Sequence, residues 1–167
     1  MSLDYPEIIA AAKTLVLNSD WAEDQQGRQK LILSIEVDGV SVEGLFLRAT
    51  SRRSMPDRKV MVQLEHAVPH QPTEPLCRIE WRPLRPHRNN LQGPKEFRLI
   101  DIPGSHHHSF ALNWYAPEER MLRENLPIAV PILPEPEGFN QLLALISKEF
   151  RISNAEAIAI PPWDLLL

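Results

Sequence analysis

Apolar residues recur along this chain with two periods, and the changes between them mark its layout. Leu31, Leu33, Ile35 and Val37 alternate with Ile32, Ser34, Glu36 and Asp38, the period of a strand with one buried face. Asp38-Gly39 follows, a type I′ turn dipeptide. Val40, Val42, Gly44, Phe46 and Arg48 resume the alternation beyond it, with Leu45 and Leu47 facing oppositely. This predicts a β-hairpin. Residues 51–58 read as the next turn, and Val60, Val62 and Leu64 as a third strand. Prolines from 69 to 75 interrupt, and Leu76-Cys77-Arg78-Ile79-Glu80-Trp81 reads as a fourth strand. A long loop over 82–95 leads to two further short strands at 97–101 and 109–113.

The helical period frames these strands. Residues 6–18 read as a first helix: Asp4 caps it, Pro6 and Glu7 suit its first turn, and its alanines favour it. Asn18-Ser19-Asp20 ends it. Residues 117–125 predict a short helix with proline at its first position, acids in its first turn and arginines later. Four prolines make 127–136 extended. Phe139, Leu142, Leu143, Ile146 and Phe150 then form one apolar stripe of a helix over 136–150. Ser153-Asn154-Ala155-Glu156 has capping-box spacing, yet Pro161-Pro162 leaves room only for a short element. A helix–turn–helix reading of 139–160 lacks any basic residue after Arg151 for phosphates or base edges.

Sequential strands joined by short turns imply an antiparallel meander, and segregated helices imply the α+β class. The expectation is a single α+β domain over 1–167. An antiparallel β-meander of about five or six strands would pack with an N-terminal helix and C-terminal helices.

Composition narrows the class. At 167 residues, 43% apolar and 24% charged, the chain resembles a soluble globular protein with a sizeable core. No apolar run approaches the ~20 residues of a membrane span, and the first residues lack a signal peptide's basic and apolar regions. Cytoplasmic residence is the default expectation. The single cysteine, Cys77, excludes an internal disulfide and a multi-cysteine zinc site, and reads as a small buried residue. Six scattered glycines match no glycine-rich phosphate loop.

Charge is uneven. Residues 1–47 carry 3 Lys/Arg against 8 Asp/Glu, residues 48–100 carry 11 against 5, and residues 101–167 carry 4 against 9. The basic middle either faces an anionic ligand or pairs with the acidic ends.

Candidate chemistry concentrates in Gly104-Ser105-His106-His107-His108, after a turn signal. On a strand, His106 and His108 share one face and His107 points the other way. Two such imidazoles can bind a divalent metal with a third ligand from elsewhere, Asp101 and His87 being candidates. His87 sits in the 82–90 loop among Arg82, Arg85, Arg88 and Asn89. Brought near the histidines, these arginines would make a cationic pocket suited to phosphate. Asn113 and Trp114 would flank it; Trp81 and Trp114 either pack in the core or stack on bases.

Three functions follow as expectations. In the first, a binding or accessory module recognises an anion, RNA or a phosphorylated molecule, through the 82–90 loop and the 104–113 segment. In the second, a phosphodiester hydrolase uses His106, His108 and His87 for acid–base catalysis, as in toxin-like ribonucleases, or with a divalent metal. In the third, the apolar tail Trp163–Leu167 docks on a partner protein or a second copy. No cofactor is implied beyond that metal, and no membrane partner.

Overall fold

A computed structural model describes residues 3–114 and 124–165. Helix α1 spans Tyr5–Ala10, and Asp4 caps it by accepting a hydrogen bond from the Glu7 amide at 3.0 Å. Strand β1 is Lys13–Val16, β2 is Ala22–Glu23, β3 is Arg28–Val37, β4 is Val40–Arg52, β5 is Val60–His66 and β6 is Glu74–Trp81. A short ribbon pairs β7, His87–Arg88, with β8, Asp101–Ile102. Strand β9 is His106–His108, α2 is the single turn Phe110–Asn113, β10 is Val130–Pro131 and α3 is Phe139–Phe150.

The main sheet is antiparallel, in the order β1-β3-β4-β5-β6-β9-β10, with β2 also paired to β3. The predicted hairpin supplies β3 and β4, which lie next to the β1 edge. Asp38 and Gly39 both adopt positive φ, at 49° and 78°, as a type I′ turn demands. The fold is therefore α+β, with an antiparallel meander, an N-terminal helix and a C-terminal helix.

Alternation divides the sheet into two faces. One carries Leu31, Leu33, Ile35, Leu45, Leu47, Val62, Leu64, Ile79 and Trp81 into a single core with the α3 stripe. The other face is polar. Register aligns Lys30, Thr50, Met61, Glu80 and His106 in one row across five strands. Ile32, Arg48, Gln63, Arg78 and His108 form the next row.

Three local expectations change. The helix predicted over 6–18 stops at Ala10. Residues 13–16 instead pair with β3, and Lys13 bridges to Ile152. Pairing an open strand edge outweighs the weak helix preference of Thr14-Leu15-Val16. The strand expected at 97–101 does not form: Phe97 ends a 3₁₀ turn, Lys95–Phe97, residues 98–100 carry no strand, and Asp101 opens β8. The strand expected at 109–113 is α2, because the Ser109 hydroxyl accepts from the Leu112 amide and starts a helical turn. After the capping-box motif comes the short element expected there, a 3₁₀ turn at Ala155–Ala157, while the Asn154 side chain is engaged with β1. The helix predicted at 117–125 falls largely outside the described residues.

The described part of the tail meets its own body through Trp163 and Asp164. The Trp163 indole N–H donates to the Ser51 hydroxyl at 2.6 Å and its ring meets Phe139 edge-on at 5.7 Å. Asp164 pairs with Arg53 at 2.7 Å. Among the described residues, no helix is long and apolar enough to cross a membrane.

Candidate metal centre

His106 and His108 lie one residue apart on either side of His107, so the pleat of β9 puts both rings on the polar face of the sheet. His107 points to the core face, 3.6 Å from the Glu149 carboxylate and beside Phe150. His87 reaches the pair from the β7–β8 ribbon, which folds over that end of the sheet. The ring centroids are 5.2 Å apart for His87 and His106, 4.7 Å for His87 and His108, and 5.0 Å for His106 and His108. One nitrogen from each ring falls within 4.8 Å of the others.

The remaining nitrogens are tied to oxygens that only accept, which assigns the protons. His106 Nδ1–H donates to the Gly104 carbonyl at 2.9 Å, and His108 Nδ1–H donates to the Leu126 carbonyl at 2.6 Å. His87 Nε2–H donates between Asn89 Oδ1 at 3.0 Å and the Pro127 carbonyl at 3.2 Å. Lone pairs are thereby left on His106 Nε2, His108 Nε2 and His87 Nδ1. Backing the distal nitrogen with a carbonyl is how proteins orient metal-binding imidazoles. His106 Nε2 is buried and has no hydrogen-bond partner, an unmet need that a cation satisfies.

Burial keeps His106 and His108 neutral. Burial lowers the His106 pKa below its usual value. Burial, then Arg78 and the neighbouring imidazoles, pushes His108 down to about 2. Such a ring offers a lone pair at neutral pH and does not serve as an imidazolium acid.

Two charged residues of β6 complete the site. Glu80 places Oε2 3.8 Å from His106 Nε2 and Oε1 3.8 Å from His108 Nε2. Arg78 Nε holds Glu80 at 3.1 Å, and Arg78 Nη2 donates a long hydrogen bond to His108 Nε2 at 3.5 Å, which a bound ion would displace. The Arg78 fork is anchored by Gln63 Oε1 at 3.4 Å and Asn125 Oδ1 at 2.8 Å. Sequence reasoning passed over both. Their signal is the pattern Cys77-Arg78-Ile79-Glu80-Trp81, in which two opposite charges share the outward face of an otherwise apolar strand.

The other predicted site residues are distributed differently. Asp101 is not brought to the histidines: it is exposed and binds Arg88 through both carboxylate oxygens, at 3.0 and 2.8 Å. Arg82 leaves β6 with φ at 48° and turns away to Glu135 at 3.1 Å and the Pro136 and Glu137 carbonyls. Arg85 is exposed, along a groove that Glu80 also lines. Asn89 is buried and positions His87; its amide also bonds Phe97 and Ala129. Asn113 is buried against Ser109 and both backbone groups of Ile128. Trp114 stacks on Phe110 at 4.8 Å, and Trp81 is fully buried with its N–H on the Pro136 carbonyl, so both pack in the core. Burial likewise raises the Cys77 thiol pKa to about 12.

Comparison with family models, curated proteins and solved structures finds no match.

Proposed function

We propose that this protein is a metal-dependent hydrolase. One divalent ion, zinc in the first instance, is held by His87 Nδ1, His106 Nε2 and His108 Nε2. The observation that carries the reading is the convergence of three imidazole lone pairs, each ring backed by an oxygen, beside one carboxylate. Three histidines with an open fourth position suit catalytic zinc. Zinc–nitrogen distances of about 2.1 Å require the rings to draw together on the ion.

A bound ion supplies Lewis acidity and an acidified water. Glu80 stands between the two buried imidazoles and the groove, where it accepts the proton of the attacking water. Arg78 holds Glu80 in place through their ion pair and offers a cation to negative charge developing on the substrate. His108 acts as a ligand and not as a proton donor, which favours a metal mechanism over a metal-free ribonuclease. The loop reading of anion binding has less support, because Arg82 and Arg88 are engaged with carboxylates. The assembly reading has less as well, because Trp163 docks on its own sheet.

Calorimetric titration of chelator-stripped protein with zinc tests the centre. One ion per chain is expected, with binding lost in His106→Ala and in His108→Ala; no zinc uptake by the wild type overturns it. Glu80→Gln should still bind zinc and should hydrolyse bis(p-nitrophenyl) phosphate about 10²–10⁴-fold more slowly than the zinc-loaded wild type. Zinc binding without hydrolysis by the wild type overturns the hydrolase and leaves a metal-binding protein.

A further inference from the structure

We propose that the groove beside Glu80 binds a phosphate-bearing ligand of nucleotide size. The groove measures about 910 Å³, within the range of about 300–1,000 Å³ usual for small-molecule sites. Its floor follows the cross-strand row Lys30, Thr50, Met61 and Glu80, whose next member is His106. At about 4.8 Å per strand, the row runs roughly 14 Å from β3 to Glu80. A ligand lying across the strands therefore brings one end to the candidate centre.

The lining is cationic where it is unpaired. Arg52 ends β4, Lys59 precedes β5 and Arg85 follows β6, at one end of three adjacent strands, with Lys30 nearby on β3. None of these four has an ion pair among the described residues, whereas the acids of the groove are matched. Asp24 pairs with Arg28 at 2.6 Å, Glu23 with Arg53 at 3.1 Å and Glu80 with Arg78 at 3.1 Å. Unmatched guanidinium and ammonium groups around a half-open cleft select an anion, and arginine forks fit phosphate oxygens.

Met61, Pro83 and Leu84 add apolar surface to the same lining, and Leu84 is 46% exposed. An apolar body with a phosphate end matches both parts. The described lining holds no aromatic ring, so the stacking platform of single-strand nucleic-acid binders is missing there, which argues against an RNA strand as the occupant.

The inference rests on the metal-centre reading only for where the reacting bond lies, since the groove cations are not ion ligands. Its test uses chelator-stripped protein, so that the two readings fail separately. ADP, adenosine, pyrophosphate and an oligoribonucleotide are titrated into the full chain by calorimetry. Lys59→Glu/Arg85→Glu alters exposed side chains only, and its circular dichroism and zinc stoichiometry should match the wild type. ADP should bind the wild type more tightly than adenosine or pyrophosphate, and at least tenfold more weakly to the double variant. Absence of ADP binding, or binding unchanged in the double variant, overturns the proposal. Pyrophosphate binding as tightly as ADP overturns the nucleotide assignment, as does oligoribonucleotide binding without ADP binding. Expected ADP binding in a protein that takes up no zinc leaves this site standing while the metal centre falls; zinc uptake without ADP binding does the reverse.

Discussion

Asn89 shows how much of the candidate centre depends on a residue that touches no reacting atom. Its side-chain oxygen accepts from the Ala129 amide at 2.8 Å and faces His87 Nε2, while its amide donates to Phe97 and Ala129. Asn89→Ala should cost about 2–3 kcal/mol of stability, measured by urea denaturation, because buried backbone groups lose their partner. It should also weaken zinc binding about 10–100-fold, the usual penalty for releasing the support of a ligand ring. Unchanged zinc affinity would show that His87 is not a ligand. At this scale the sequence was informative about His106 and His108, whose spacing alone puts them on one face of a strand. It was silent on Glu80, whose value comes from its cross-strand partner.

Among the elements, β1 and α3 carry the clearest lessons. Strand β1 ends the sheet, and its outer edge is covered without another strand. Asn154 accepts from the Leu15 amide at 2.8 Å and donates to the Leu15 carbonyl at 3.0 Å, a side chain standing in for a strand neighbour. Asn154→Ala should destabilise the protein by about 1–2 kcal/mol in urea unfolding, with amide exchange quickened at Leu15. Helix α3 was legible from its stripe because all five apolar positions lie on one side. Ile146 is fully buried there, and Ile146→Ala should cost about 2–5 kcal/mol by the same measurement. Residues 13–16 were not legible, because their alanine-rich lead-in favours helix locally while the stabilising partner, β3, begins 12 residues after β1 ends.

For the whole molecule, buried titratable groups tie stability to pH in two windows. Folding lowers the pKa of His106, His107 and His108 through burial, so the unfolded chain binds more protons below its own pKa of 6.5. Their contribution is present above pH 6.5 and is lost as the pH falls. The melting temperature of metal-free protein should therefore drop from pH 6.5 downward, and saturating zinc should oppose the drop. Lys13 is 1% exposed, with its ammonium on the Ile9 and Ala11 carbonyls, and burial lowers its pKa from 10.5 to about 8. Between those values the folded state again binds fewer protons, so this group adds stability as the pH rises. Wild type should gain on Lys13→Met from pH 8 to 10.5, by at most about 3 kcal/mol at 1.36 kcal/mol per pH unit. A difference that stays flat over that window would show that the buried ammonium is not strained.

By itself the sequence determined what depends on neighbours along the chain. These are the period-two strands and their Asp38-Gly39 turn, the apolar stripe of α3, the α+β class and the shared face of His106 and His108. Each follows from spacing within a few residues, where backbone geometry dictates which side chains point together. Tertiary structure alone decided which rows align across strands and which loop folds over them. That placed Glu80 and Arg78 opposite His106 and His108, carried His87 to the pair across 18 intervening residues, and turned Arg82 and Asp101 away. Register and loop closure arise from packing and hydrogen bonding between distant segments, and no local period encodes them.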